Sequence, residues 1–186
     1  MARYWFIRHG ESVAQVSTWP GDDADVPLSP RGIEQARALA TTVAALPVER
    51  VLCSPFVRAR ETARHLLTQT RHEPAFVADL RERFAGEWSK VFHRDEAMQT
   101  QLANWDFRPP QGESVRDAAL RGLRALARHE QEAHTLVVAH GRILAGVLTL
   151  LDGRDWSLGV KSLENCVLAE REVAPQTWTR LLESHA

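Results

Sequence analysis

A histidine and an arginine lie side by side where a buried strand should end. The apolar run at residues 4–7 is followed at once by Arg8, His9 and Gly10. A short apolar run that leads into a glycine turn is typical of a strand in a parallel sheet, and the carboxyl ends of such strands form the ligand crevice of α/β folds. A neutral imidazole is a nucleophile and a guanidinium binds oxyanions, so this pair indicates chemistry on an anionic group.

Similar polar groups follow two further apolar runs. Ser54 follows residues 50–53, Arg58 lies one helical turn farther on, and His140 follows residues 135–139. Because the carboxyl ends of parallel strands share one edge, we expect these groups to converge with the first pair. Two arginines and two histidines could together hold a tetrahedral dianion, with each shielded charge-assisted hydrogen bond contributing ~1.5–3 kcal/mol.

The size and charge of the chain limit its class. With 186 residues, 44% of them hydrophobic, the sequence predicts one domain with one substantial core. A formal net charge of -1 gives no broad field to gather nucleic acid or an anionic membrane, so we expect neither partner and any anion site must be local. Two distant cysteines and no secretory or membrane-spanning stretch predict a cytoplasmic protein with reduced thiols.

Strand-like and helix-like segments alternate along the chain. This alternation predicts an α/β fold, a three-layer α/β/α sandwich whose mostly parallel central sheet is flanked by helices. Predicted strands cover residues 4–7, 50–53, 75–78 and 135–139, with two closing strands within 162–172 and at 177–182; predicted helices cover residues 30–46, 56–70, 114–131 and 142–151, and a loop covers residues 12–27.

One segment, at about residues 79–112, fits no simple repeat and is predicted to be a small, partly helical lid inserted into the domain. It is rich in aromatic side chains, which either fill the core or form the wall of an apolar substrate pocket. The aromatic residues considered for that wall are Trp88, Phe92, Trp105 and Phe107.

Five landmarks in this order resemble the histidine phosphatase superfamily, the group that includes cofactor-dependent phosphoglycerate mutase. They are Arg-His-Gly-Glu-Ser at 8–12, Pro-Leu-Ser-Pro-Arg-Gly at 27–32, Cys-Ser-Pro-Phe-Val-Arg at 53–58, Leu-Arg-Glu at 80–82, and Pro-Gln-Gly-Glu-Ser at 110–114 followed by Val-Val-Ala-His-Gly at 137–141. Each landmark is weak alone, but their joint occurrence in the expected structural context is specific.

The resemblance implies a role for each matching residue. His9 is the expected nucleophile that attacks phosphorus and becomes phosphorylated. Arg8, Arg58 and His140 are expected to bind the phosphoryl oxygens, and Glu82 is expected to donate a proton to the leaving oxygen. No metal or cofactor is expected, because the positive side chains take the place of Mg²⁺ and the histidines lack ligand spacing.

Four further residues are candidates for substrate binding. Gln15 stands where the family often has asparagine, Gly21 lies in the loop that follows, and Gly141 and Arg142 open the helix after His140. Two interpretations stay open for residues 113–114, which either cap a helix or approach the site.

These residues predict a metal-independent phosphatase that hydrolyses a small phosphate monoester through a phosphohistidine. Three alternatives remain: a cofactor-dependent phosphoglycerate mutase, a phosphohistidine phosphatase acting on a protein, and a catalytically silent phosphate-binding module. The compact lid favours hydrolysis over mutase activity, and the complete set of site residues disfavours the silent module. The natural substrate and the oligomeric state are not readable from the sequence.

Overall fold

The central sheet has five strands, in the order β3-β2-β4-β1-β5. The computed structural model describes residues 1–90, 95–157 and 159–185, so Phe92 and His93 lie outside the described residues. The strands are β1 (Ala2–Arg8), β2 (Arg50–Cys53), β3 (Pro74–Phe76), β4 (Thr135–Ala139) and β5 (Leu168–Val173); the helices are α1 (Val13–Val16), α2 (Pro30–Ala45), α3 (Val57–Leu66), α4 (Glu96–Ala103), α5 (Val115–Arg128), α6 (Gly141–Leu151) and α7 (Thr177–His185).

Four strands are parallel, and β5 pairs antiparallel with β1 at one edge. The alternating side chains of β1 divide the core into two layers, because successive residues of a strand point to opposite faces. Tyr4 and Phe6 pack with α5, α6 and α7, whereas Trp5 and Ile7 pack with α2 and α3. The predicted α/β/α sandwich is therefore confirmed.

The helix starts follow simple capping rules. The Ser29 hydroxyl accepts a hydrogen bond from the Gly32 amide, and Pro30 occupies the first helical position of α2. Ser114 and Asp117 form a reciprocal capping box at the start of α5. The segment predicted as a lid, residues 79–112, contains α4 and the 3-10 helix Gly86–Lys90, and another 3-10 helix, Ala78–Leu80, begins just before it; the described part of this segment is therefore partly helical.

The predicted strand at 177–182 is wrong, because the chain there forms α7. Trp178, Leu181 and Leu182 recur at helical spacing, so their side chains share one face of the helix. Trp178 is fully buried and packs edge-on against the Tyr4 ring, 5.1 Å between centroids. Cys166, expected in a strand, has a φ of 53° and precedes β5.

The predicted loop at residues 12–27 is also more ordered than expected. It contains α1 and a 3-10 helix at Asp23–Asp25. The Ser12 amide donates to the Gln15 side chain at 3.1 Å, which gives the short α1 a local cap.

The turn after β1 lies in backbone contact with the start of α2. The Glu11 carbonyl accepts a hydrogen bond from the Ser29 amide at 2.9 Å. A Cβ atom on Gly32 would overlap the Glu11 carbonyl oxygen, and one on Gly10 would overlap the carbonyl of Gly32. Only glycine at these two positions allows α2 to approach the turn so closely.

We therefore expect Gly32→Ala to destabilise the protein by about 1–3 kcal/mol, because backbone rather than a flexible side chain would have to move. Urea unfolding measures this change. The matched control is Arg31→Ala, whose exposed guanidinium lies 3.7 Å from a Glu11 oxygen and should contribute less than about 1 kcal/mol. Equal stability of Gly32→Ala and the native chain would contradict the close packing.

Candidate active site

His9 lies at the carboxyl end of β1 and is buried. Its amide donates to the Ala139 carbonyl of β4 at 3.0 Å, and its Nδ1 lies 2.7 Å from the Gly10 carbonyl oxygen. Because a carbonyl can only accept, Nδ1 carries the proton and Nε2 keeps its lone pair. Burial, together with the nearby Arg58 and Arg8, lowers the pKa of His9 well below its usual value. The ring is therefore neutral, with its lone pair on Nε2.

Arg58 reaches His9 from the first turn of α3. Its Nε donates to His9 Nε2 at 3.2 Å, and its side chain is 5% exposed. The other end of the guanidinium is bound by Asp23: Nη1 donates to the backbone carbonyl, and Nη2 lies 3.1 Å from the carboxylate Oδ2. On the same helix, Thr62 accepts from the Gly10 amide at 3.0 Å, which fixes the turn after His9 to α3.

His140 lies at the end of β4, with its ring centroid 5.1 Å from that of His9. Its Nε2 is 2.7 Å from the Ser54 hydroxyl, which itself accepts from the Phe56 amide at 3.3 Å. Burial, with the charge of Arg58, lowers the pKa of His140 well below its usual value. The Ser54 proton can therefore be donated to Nε2, which places the ring proton on Nδ1. That buried Nδ1 has no hydrogen-bond partner within the described part of the chain.

Arg8 completes the positive cluster from the last position of β1. Its Nη1 donates to the Leu163 carbonyl at 2.5 Å and to the Ser162 hydroxyl at 3.3 Å. Its Nε is buried and has no partner among residues 1–90, 95–157 and 159–185. Burial lowers the pKa of Arg8, while the nearby Glu82 carboxylate opposes this shift. The site thus holds two buried donor atoms, Arg8 Nε and His140 Nδ1, suited to the oxygens of an anion.

The Glu82 side chain contacts the first turn of α6, the helix that directly follows His140. Its Oε2 accepts from the Arg142 amide at 3.2 Å, and its Oε1 accepts from the amides of Ile143 at 3.2 Å and Arg83 at 2.8 Å. Helix N-termini favour negative charge because their first amides have no partner within the helix. The fold therefore holds the Glu82 carboxyl group at the start of the helix that follows His140, close enough to Arg8 to interact with its charge.

A buried arginine of α5 holds the backbone of the Glu82 segment. Arg121 donates to the carbonyls of Asp79 at 2.7 Å, Arg81 at 3.0 Å and Glu82 at 3.3 Å. Its remaining donors bind both oxygens of Glu113 at 2.9 and 2.8 Å. Because every one of these contacts lies on or beside the segment that carries Glu82, Arg121 fixes the position of that carboxyl group.

Glu113 therefore belongs to this support, while its neighbour Ser114 caps α5. The Glu113 carboxylate also accepts from the Phe84 amide at 3.0 Å. Burial alone would raise the pKa of Glu113, but the hydrogen bonds from Arg121 and from the Phe84 amide outweigh it and lower the pKa. Both interpretations of residues 113–114 thus hold in part: one residue caps the helix and the other supports the site.

Two of the predicted substrate-binding residues lie in the loop segment after β1. The Gln15 amide donates to Asn165 at 3.0 Å, and Asn165 in turn donates to the His9 carbonyl at 2.8 Å. Gln15 is thus linked to the His9 backbone through Asn165. Gly21 is exposed and lies against the Trp19 indole.

The other two lie at the start of α6. Gly141 is buried between Arg8 and Ser162, where a Cβ atom would overlap the Ser162 hydroxyl. The backbone amide of Arg142 binds Glu82, and its guanidinium donates to the Val160 carbonyl.

The described aromatic residues that were considered for the pocket wall, Trp88, Trp105 and Phe107, lie in two separate ring clusters. Trp88 and Phe107 pack together with their centroids 5.2 Å apart. Trp105 is buried in the core and stacks on Trp156 at 5.4 Å.

Sequence analysis missed Asp23, Asn165 and Arg121. Arg121 gave a usable signal, since it is an arginine within a helix whose buried face is otherwise apolar, and a buried arginine must have partners. Asp23 lies in a short 3-10 helix and Asn165 in a turn, and only the folded chain brings them to Arg58 and His9.

The described residues offer neither a cluster of metal ligands nor a membrane-spanning helix. No group of three or more His, Cys, Asp or Glu side chains there is arranged to hold a metal ion. No helix in those residues has the length and apolar character needed to cross a membrane.

The buried neutral histidines predict a pH-dependent stability. The unfolded chain has ordinary histidines of pKa near 6.5, so below that pH it binds more protons than the folded chain. The free energy of unfolding should therefore fall as the pH falls below about 6.5, by up to about 1.4 kcal/mol per pH unit for each histidine. In urea unfolding between pH 7.5 and 5.0, His9→Asn should show a shallower decline, whereas parallel declines would contradict a neutral His9.

Comparison with known proteins agrees with this geometry. The family described as the histidine phosphatase superfamily, branch 1, matches residues 4–183. The chain is 36% identical over 163 residues to the adenosylcobalamin/alpha-ribazole phosphatase of Escherichia coli K12, covering 82% of this chain and 78% of that protein. It is 29% identical over 167 residues to the 2,3-bisphosphoglycerate-dependent phosphoglycerate mutase 2 of Gloeobacter violaceus, covering 82% and 76%.

A solved structure is similar over nearly the whole chain. The alpha-ribazole phosphatase from Shigella flexneri superimposes with a TM-score of 0.74 at 30% identity, covering 94% of this chain and 92% of that one. The order of landmarks, the sheet and the matched length all agree. The chain therefore belongs to the histidine phosphatase superfamily.

Proposed function

We propose that this phosphatase hydrolyses a small phosphate monoester through a phosphohistidine formed on His9. The observation that carries the proposal is the neutral Nε2 of His9 in the same cluster as two buried donors, Arg8 Nε and His140 Nδ1, which have no hydrogen-bond partner among the described residues. A tetrahedral phosphoryl group supplies acceptors for both donors and an electrophile for Nε2. The named relatives, both phosphatase and mutase, are phosphoryl-handling enzymes, which supports the same assignment.

In the first step, His9 Nε2 attacks phosphorus and the bond from phosphorus to the leaving oxygen breaks. Glu82 supplies the proton that the leaving alkoxide takes. The Arg58 Nε proton, which lies on the Nε2 lone pair before attack, is then free to bind a phosphoryl oxygen. Arg8 and His140 bind the other oxygens, so positive groups surround the charge as it develops.

In the second step, water attacks the phosphorus of the phosphohistidine. The Glu82 carboxylate takes a proton from that water, the phosphorus–nitrogen bond breaks, and its electron pair returns to His9 Nε2. The products are inorganic phosphate, a neutral His9 and a protonated Glu82. The site has then returned to its starting protonation, and Nδ1 has kept its proton on the Gly10 carbonyl throughout.

For the substrate, we propose a nucleoside-like 5′-phosphate such as alpha-ribazole 5′-phosphate. The similar proteins of Escherichia coli and Shigella flexneri are named as alpha-ribazole phosphatases and cover most of this chain. We further propose that residues 79–112 act as a lid on a single domain, with Trp88 and Phe107 forming an apolar wall for the leaving group. The free thiols of Cys53 and Cys166 fit a reducing, cytoplasmic setting.

A phosphoglycerate mutase is the second candidate, because several relatives carry that name, among them the protein of Gloeobacter violaceus. The two functions differ in the acceptor of the phosphoryl group, which is water in a phosphatase and a second phosphoglycerate hydroxyl in a mutase. Incubation with alpha-ribazole 5′-phosphate should release inorganic phosphate, and incubation with 3-phosphoglycerate plus 2,3-bisphosphoglycerate should give no 2-phosphoglycerate. Rapid formation of 2-phosphoglycerate would instead identify a mutase.

Removal of the nucleophile should abolish turnover. We expect His9→Asn to lower the turnover of p-nitrophenyl phosphate by at least ~10³-fold, because no other group replaces Nε2. The native enzyme should keep its rate in excess EDTA. The control is His72→Asn, a histidine of the loop after α3 outside the site, which should turn over normally. Residual activity in His9→Asn close to the native rate would contradict the mechanism.

The Arg121 contacts predict an effect that depends on the leaving group. Arg121→Gln releases the segment that carries Glu82, so it should lower kcat by ~10- to 100-fold for an alkyl phosphate, whose alkoxide needs a proton. The loss should be much smaller for p-nitrophenyl phosphate, whose leaving group needs little assistance. Arg124→Gln, on the exposed side of the same helix, is the control. An equal loss for both substrates would show that Arg121 does not act through Glu82.

A further inference from the structure

Asp23 places a negative charge within the positive cluster that we assign to phosphoryl binding. Its carboxylate lies 3.1 Å from Arg58 Nη2, and its backbone carbonyl accepts from Nη1 of the same guanidinium. The partner arginine is buried, with 5% of its side chain exposed, whereas the Asp23 side chain is 55% exposed. The carboxylate therefore lies on the solvent side of Arg58, where an approaching anion would meet it.

The three nitrogens of Arg58 are all engaged by protein atoms. Nε donates to His9 Nε2, and the other two nitrogens donate to Asp23. Attack of His9 on phosphorus frees the Nε donor, but it leaves the Asp23 contacts in place. Arg58 thus meets the phosphoryl group while still paired with a carboxylate, and its net attraction for negative charge is reduced by that pairing.

The mechanism described above does not require this carboxylate. A backbone carbonyl alone would hold the guanidinium in the same plane without adding charge. Asp22 and Asp25, which flank Asp23 closely, are exposed as well, so the segment adds to the negative charge on the solvent side of the site. A second negative charge on the substrate would be repelled here, whereas a neutral or cationic group would not.

We propose that Asp23 is a specificity-determining residue that selects monoesters whose alcohol part carries no further negative charge. This inference rests on the proposed function, because that function defines which reaction the selected monoesters undergo. The predicted effect of Asp23 on anion binding, in contrast, does not depend on the reaction. It implies discrimination against phosphorylated acids and bisphosphates, which are the substrates of the mutase alternative.

The first test measures binding without turnover. Titration calorimetry with inorganic phosphate should show about threefold to tenfold tighter binding to Asp23→Asn than to the native enzyme at low salt, because the amide keeps a hydrogen bond but removes the charge. The difference should shrink in 0.5 M salt, where exposed charges are screened. Asp22→Asn removes the same charge one residue away, and its effect should be clearly smaller.

The second test measures selectivity with two matched substrates. Glycerol 1-phosphate and 3-phosphoglycerate differ mainly in a hydroxymethyl group against a carboxylate. The native enzyme should prefer glycerol 1-phosphate in kcat/KM, and Asp23→Asn should reduce that preference by about threefold or more. Asp23→Glu keeps the negative charge, so it should show the preference of the native enzyme and not the reduced preference of Asp23→Asn. A purely structural role of Asp23 would not explain that difference.

The outcomes separate this inference from the proposed function. Unchanged or weaker phosphate binding by Asp23→Asn, with monoester hydrolysis intact, would overturn the role of Asp23 and leave the phosphatase standing. Tighter phosphate binding to Asp23→Asn, in a protein whose native form hydrolyses neither of these substrates nor alpha-ribazole 5′-phosphate nor p-nitrophenyl phosphate, would support the electrostatic role and overturn the hydrolytic function. Equal salt dependence of the native and Asp23→Asn proteins would also count against the role of Asp23.

Discussion

The site depends on a single hydrogen bond, from His9 Nδ1 to the Gly10 carbonyl oxygen. It places the imidazole proton on the side away from the positive cluster, so the opposite nitrogen keeps its lone pair in a buried position between two guanidiniums. A protonated imidazole in that position would face like charges and a desolvation cost together. The surrounding structure therefore serves one requirement, which is to keep a neutral ring fixed among cations.

The sheet brings this ring to its partners. β1 and β4 are hydrogen-bonded in register from Tyr4 opposite Thr135 to Arg8 opposite Ala139, so His9 and His140 leave their strands side by side. β2 lies on the other side of β4 and delivers Ser54 to His140. Helix α3 then returns Arg58 to the same edge. The positions of all these groups follow from strand register and not from flexible loops, which gives the preorganisation that stabilises developing charge.

Much of this arrangement could be predicted from sequence. The ends of strands, the caps of helices and the placement of Arg8 and Arg58 could be predicted because they follow from local sequence patterns. The predicted first and last residues of β2 and β4 agree with the structure. The polar contacts of Asp23, Asn165 and Arg121 could not be found that way, because each joins segments far apart in the chain. The α7 segment was predicted as a strand because a short run rich in large apolar residues resembles a closing strand, although the spacing of Trp178, Leu181 and Leu182 is helical and Trp178 packs from the helix against Tyr4 of β1.

Among the described residues, the fold buries arginine side chains but no carboxylate to the same degree. Three arginines are buried, Arg58, Arg83 and Arg121, and within residues 1–90, 95–157 and 159–185 no aspartate or glutamate is buried to the same degree. Solvent therefore faces a surface more acidic than the formal charge of -1 suggests. The net charge should weakly repel a distant anion. The arginines of the site should attract it only when it comes within about one Debye length of them. We therefore expect short-range contacts in the site, and not long-range steering, to contribute most to substrate capture.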